Sequence, residues 1–214
     1  MRRLAVLLLY VIVTIACRLA PGSPAVATAS HGDVAAMKKM LDARLDPNTR
    51  DAAGYTPLIA AARVGDFAMI RLLTSRGADP NLPDAAVNSW TPLLHAVHKA
   101  QPGSIAALLD AGANPNGADT HGTTPLIMAA GYGYTDIVKI LLARGANPRL
   151  PMRDGVTAID LARSGVPDID RFTVFDCQDE TVKALLAADP KLPDHSANLP
   201  RVARVLMKTK RCGA

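Results

Sequence analysis

Aromatic residues are scarce in this chain. Its 214 residues hold three Phe, four Tyr and a single Trp, although 49% of the sequence is apolar. A core of that composition is built from Ala and Leu layers in one elongated domain, which leaves no large enclosed active-site cavity. Cysteine is nearly as rare, with three in all. No Cys-x-x-Cys pair, Ser-His-Asp spacing or phosphate-cradling Gly loop occurs, so the sequence marks of redox, acyl-transfer and nucleotide chemistry are missing. His95-x-x-His98 sets two imidazoles at helical i, i+3 spacing, but no third ligand lies at motif spacing and His95 takes a core-facing position. Neither a metal site nor a cofactor is expected. Asp154 with Asp160, and Asp168 with Asp170, could be imagined as acid-base pairs, yet without a pocket they read as turn residues and solvated charges. An enzyme is not expected.

Repetition is what the chain has in place of motifs. Thr56-Pro57-Leu58, Thr91-Pro92-Leu93 and Thr124-Pro125-Leu126 are preceded by Ser23-Pro24 and followed by a degenerate Thr157-Ala158-Ile159, at intervals of 33, 35, 33 and 33 residues. A second phrase keeps the same beat: Asp46-Pro47-Asn48, Asp79-Pro80-Asn81, Asn114-Pro115-Asn116 and Asn147-Pro148, the last three preceded by Gly-Ala. Two phrases locked in one period indicate a solenoid of supersecondary units. In each unit Thr caps a helix and Pro fills its first position, where a missing amide costs nothing. A short Ala-rich helix follows, then a turn such as Gly65-Asp66, then a second helix with apolar residues at helical spacing. Gly77 or Gly145 ends that helix in a left-handed cap, and the Pro beyond prevents it from resuming. The fold class expected is all-α, a solenoid of about five helix-turn-helix units.

Thr-Pro-Leu, the paired Ala and Gly-Ala-Asp-x-Asn at this period resemble the ankyrin repeat. The resemblance covers residues 23–190 with a C-terminal capping helix at 191–214. The His that usually follows Thr-Pro-Leu is replaced by Ile59, Leu94 and Ile127, so its hydrogen bond at the turn is absent. Pro47, Pro80, Pro115 and Pro148 stand where the family more often has Val, which shortens or removes strand-like pairing there.

The N-terminus follows another pattern. Met1-Arg2-Arg3 is basic, and residues 4–16 carry no charge over thirteen positions, too short for an ordinary membrane span and the right length for a secretory core. Residues 1–16 are expected to be a signal peptide. Thr14-Ile15-Ala16-Cys17 resembles a bacterial lipobox, with Thr14 a departure, which makes Cys17 a candidate for lipidation and membrane contact. Ala25-Val26-Ala27 and Ala27-Thr28-Ala29 offer an ordinary cut instead, but cutting after Ala27 would halve the first helix of the first repeat. An uncleaved anchor is the third possibility. All three place the repeats outside the cytoplasm, in the periplasm, and that compartment excludes nucleic acid as a partner. There Cys177 and Cys212 form an even pair that either bridges, contributing about 3–4 kcal/mol, or remains as two thiols. Cys177 lies in an insertion at 166–177, and Cys212 ends a terminal helix at 200–211.

Within the ankyrin pattern, the loops between units and the two residues after the paired Ala face the concave side. That stripe holds Tyr55, Arg63, Trp90, His98, Lys99 and Tyr132, and the loops add Asn88, His121 and Arg153. Trp, Tyr and Arg carry much of the energy of protein interfaces, so the stripe is the candidate partner-binding surface. The competing reading is that the rings only cover apolar helix edges. Trp90 stands out because the loop before it is two residues longer than its neighbours. The formal charge of +5 falls to about +3 when Arg2 and Arg3 leave, and the excess gathers at Arg201, Arg204, Lys208, Lys210 and Arg211. The expected function is that of a monomeric, non-catalytic protein-binding module in the bacterial cell envelope. The alternatives are an immunity protein that covers a toxin, or a membrane-associated structural adaptor resting on the basic terminal helix.

Overall fold

The computed structural model describes residues 23–86, 88–164 and 178–193. Cys17, Cys177, Cys212, the signal segment 1–16, the whole insertion 166–177 with Asp168 and Asp170, and nearly all of the expected capping helix 191–214 lie outside them. The described residues form ten helices and no strand. In chain order they are α1 (Pro24–Ser30), α2 (Val34–Asp42), α3 (Pro57–Val64), α4 (Phe67–Ser75), α5 (Pro92–His98), α6 (Pro102–Asp110), α7 (Pro125–Tyr132), α8 (Thr135–Ala143), α9 (Ala158–Ser164) and α10 (Asp179–Ala188). They pair as five units. The odd-numbered helices stack one on the next in one row and the even-numbered ones in a second. None of the described helices is long and apolar enough to cross a membrane.

The caps follow from the repeated phrase. Thr56, Thr91 and Thr124 accept through Oγ1 from the amides of Ile59, Leu94 and Ile127 at 3.2, 3.3 and 3.2 Å, with Pro at the first position of each helix. Asp33 and Asp66 cap α2 and α4 in the same way, accepting from Ala36 and Met69 at 2.9 Å. The fifth copy reverses the roles: Asp160 Oδ2 accepts from the Thr157 amide at 2.9 Å and from its hydroxyl at 2.6 Å. Asp160 is wholly buried, which corrects its reading as a solvated charge, because it stands in the core column of Ile59, Leu94 and Ile127 and is held there by its own helix cap. Asp154 is exposed and accepts from the Val156 amide at 3.2 Å, as a turn residue should.

Small side chains set the distance between helices. Ala61, Ala62, Ala96, Ala129, Ala130 and Ala162 are fully buried where the first helices stack, while Met69, Ile70, Leu73, Ile105, Leu108, Val138 and Leu141 fill the space toward the second row. An Ala layer brings backbones close.

Beyond the core, polar side chains join the units. Asn48 accepts from the Asp79 amide at 2.8 Å and donates to the Gly77 carbonyl at 3.2 Å. Asn81 does the same with Asn114 and Gly112, and Asn116 with Asn147 and Gly145. This ladder replaces the strand-like pairing that the prolines forgo. In the next place stands Arg149, which donates to Asp189 through Nε at 2.5 Å and Nη2 at 2.9 Å, and to the Lys191 carbonyl at 3.2 Å. Asp189-Pro190-Lys191 is therefore a further copy of the Asp-Pro-Asn phrase, set back by the insertion.

Candidate partner-binding face

The first three loops between units are fingers each built around one aspartate, and the fourth has Met152 in that place. Asp51 Oδ1 accepts from the amides of Ala53 and Tyr55 at 3.0 and 2.8 Å, and Asp119 Oδ1 accepts from those of His121 and Thr123 at 2.8 Å each. A backbone bond closes the finger, from the Asp51 amide to the Tyr55 carbonyl and from the Asp119 amide to the Thr123 carbonyl. Neighbouring fingers touch by single bonds: Ala85 N to Gly54 O, Thr120 N to Asn88 O and Arg153 N to His121 O. Gly54 is required here twice, by its φ of +83° and because a Cβ would lie 2.6 Å from the Ala85 Cβ.

The second finger has two more residues, and its aspartate spans six positions to Trp90 where Asp51 spans four to Tyr55. Asp84 Oδ1 still accepts from the amides of Ala86 and Trp90, at 3.1 and 3.2 Å. Its Oδ2 accepts from His95 Nε2 at 2.7 Å, and both side chains are 4% exposed. Ser89 occupies the finger position that is Gly54, Gly122 or Gly155 elsewhere, and does so at a φ of +52°. The Trp90 indole donates from Nε1 to Asp119 Oδ2 at 3.2 Å, tying the long finger to the next.

Rings run along this face without a break. Tyr55 meets the His95 ring edge-on at 5.6 Å, and Trp90 lies 5.4 Å from His95 and 5.1 Å from His98. His98 lies 5.9 Å from Tyr132, with Nδ1 3.2 Å from the phenol oxygen, and Tyr132 lies 5.4 Å from Tyr134. Arg63 stands over the Tyr55 ring at 4.9 Å, a cation–π distance. Tyr55, Arg63, Trp90, His98, Tyr132 and Tyr134 are half-buried, whereas Lys99, Asn88, His121 and Arg153 are exposed. Thus Tyr55, Arg63, Trp90, His98 and Tyr132 share one contiguous row with Lys99 following His98 in sequence, while Asn88, His121 and Arg153 sit on the finger tips. The rings do cover helix edges, and all except the buried His95 keep part of their surface toward solvent.

His95 is the hub of the row. Burial pulls its imidazole down from 6.5 to about 4, against the bonded Asp84 carboxylate that draws it up, and Arg63 and His98 push with the burial. It is therefore neutral at pH 7, with its one proton on Nε2 where Asp84 accepts it. Nδ1 is buried and has no hydrogen-bond partner. Sequence reasoning missed Asp84, Asp119 and Tyr134 and passed over His95. Two signals were present: Asp51 and Asp119 mark a finger register into which Asp84 falls, and His95 is a polar residue in a column otherwise held by Ala60 and Met128.

The paired rows of helices and projecting fingers define a helix-pair solenoid that presents a continuous face. Residues 25–119 match the family described as ankyrin repeats in three copies, and residues 108–162 match the one described as ankyrin repeats in many copies. The chain belongs to the ankyrin-repeat family, whose repeats are non-catalytic modules of protein–protein interaction. None of the curated proteins matches it.

Proposed function

We propose that this protein binds another protein along the face from Arg63 to Tyr134, in the bacterial cell envelope, without catalysing a reaction. The observation that carries the binding reading is the row of half-exposed rings and an arginine, linked through the buried His95 and bonded to two aspartates whose carboxylates are buried, Asp84 and Asp119. Large rigid side chains that keep part of their surface in water lose little entropy on docking and gain apolar contact, which is how interface energy becomes concentrated. Exposed Lys99, Asn88, His121 and Arg153 would form the polar rim of such a contact. The envelope location rests on the basic start and the uncharged residues 4–16 with Cys17 beyond them.

Crosslinked capture from envelope extracts, comparing the native chain with a Trp90→Ala, Tyr132→Ala double variant of unchanged helicity, tests the face. A partner held only by the native chain is expected, and equal capture by both overturns the assignment. The location is tested by the mass of the mature chain recovered from cells: loss of residues 1–16 with acylation of Cys17 is the expected result, and an unprocessed chain in the cytosol overturns it.

A further inference from the structure

We propose that His95 is a positioning residue for the binding face: by holding Asp84 it fixes the lengthened second finger and sets where Trp90 stands. The inference rests on the reading of that face given above, but it concerns a residue buried beneath it.

The comparison between fingers carries it. In the first finger the aspartate closes a turn of four residues through backbone amides alone, and in the third it closes the same turn with the Trp90 indole on its other oxygen. In the second, the two added residues widen the loop, and the same carboxylate gains a buried imidazole as a further donor. The equivalent positions in the units before and after are Ala60 and Met128, so neither the helix nor the core requires a polar side chain there. A buried polar pair costs more than an apolar residue unless fully bonded, and His95 Nδ1 is not bonded. The pair therefore costs the core stability where an alanine or methionine would serve, and the difference it makes lies in the finger. The connection runs from His95 Nε2 to Asp84 Oδ2, from Asp84 Oδ1 to the Trp90 amide, and from the Trp90 indole to Asp119 Oδ2. Without the imidazole, one oxygen of Asp84 is left buried with no donor. The finger relaxes to bring it to water, and Trp90 goes with it.

Trp90 is the only tryptophan, so its fluorescence reads this site alone. His95→Met places in α5 the residue that α7 carries at the same position and so keeps the repeat foldable; His95→Gln keeps a donor at the place of Nε2. With the full chain at pH 7, acrylamide quenching of Trp90 is expected to rise about two-fold in His95→Met and to stay near the native value in His95→Gln, since quenching follows local opening. Asp84→Asn, which cannot accept from both the finger amides and the imidazole, is expected to behave like His95→Met. Far-UV circular dichroism confirms the helices in each. Quenching that is unchanged in both His95→Met and Asp84→Asn overturns the proposal, and so does an equal rise in His95→Met and His95→Gln, because then the donor does not matter. No partner is needed, so failure here is distinct from failure to find one.

Discussion

Acid should weaken this fold within a defined pH window, through His95. Its pKa is about 4 in the folded chain against an ordinary 6.5, because burial, assisted by Arg63 and His98, outweighs the pull of Asp84. A group that binds its proton less readily when folded makes the unfolded chain the better proton acceptor. The neutral imidazole therefore contributes fully above pH 6.5, and the contribution is lost as the pH falls from there to about 4. The difference of about 2.5 units corresponds to ~3 kcal/mol at 1.36 kcal/mol per unit. For a chain of this size that is a fall in Tm of roughly 10 °C. The assay is urea unfolding followed by circular dichroism at fixed ionic strength and a series of pH values between 7.5 and 4, on the native chain and on His95→Met. The Arg149–Asp189 and Lys183–Glu180 pairs hold their carboxylates below the ordinary range, so what they contribute is lost only at the acid end, and both chains share it. The gap between the two chains isolates His95: methionine there does not titrate, so the native chain should lose stability relative to His95→Met as the pH drops. Parallel stability curves for the two chains would refute the reasoning.

Arg44, Ser89 and Ala100 hold φ values of 68°, 52° and 51° without being glycine. Replacing Ala100 or Arg44 by Gly should raise stability by about 0.5–1 kcal/mol in the same unfolding assay. Gly122→Ala should cost more than about 2 kcal/mol, because a Cβ there meets the Arg153 amide at 3.0 Å and Met152 Cα at 3.1 Å, whereas Gly145→Ala, with the same φ of +84° and nothing within 4 Å, should cost about 1. Asn81→Ala removes two bonds between units and should cost about 1–2 kcal/mol, seen as a lower urea midpoint. Arg149→Ala breaks an exposed pair, so the urea midpoint should barely move, while hydrogen exchange at residues 179–193 should accelerate.

The repeat made the fold legible because each device recurs. Thr-Pro at the start, Gly at the end and Ala between them appear at a fixed interval, and every copy confirms the others. The row of Tyr55, Trp90, His98 and Tyr132 was legible for the same reason, since the family pattern assigns those positions to one side. Departures from the period were harder to read. Asp84 keeps its place five residues after Asp79, but the two inserted residues separate it from Trp90, and its partner His95 lies eleven residues on, a contact between a loop and the following helix that spacing does not announce. Asp160 was misjudged because a carboxylate in sequence looks solvated. Only its place in the column of Ile59, Leu94 and Ile127 shows that it must be buried. Arg149 and Asp189 were hidden by the insertion between the helices of the last unit, which displaces the final Asp-Pro phrase from its beat.

The long finger shows how a repeat accommodates change. On one side of the solenoid each finger is tied to the next by a backbone bond, and on another the Asn ladder joins unit to unit. A unit held at both places cannot pass an insertion on to its neighbours, since a shift of one finger would break the bonds of the next. The two extra residues must be absorbed where they occur. They are taken up by a serine in a left-handed conformation, by a carboxylate reaching six residues instead of four, and by an imidazole buried where its neighbours have alanine and methionine. All three carry a cost in stability, and all three lie beneath or beside Trp90. Three such costs gathered in one finger of a regular array mark the unit where shape has been favoured over stability, and in this molecule that finger lies at the middle of the row of rings.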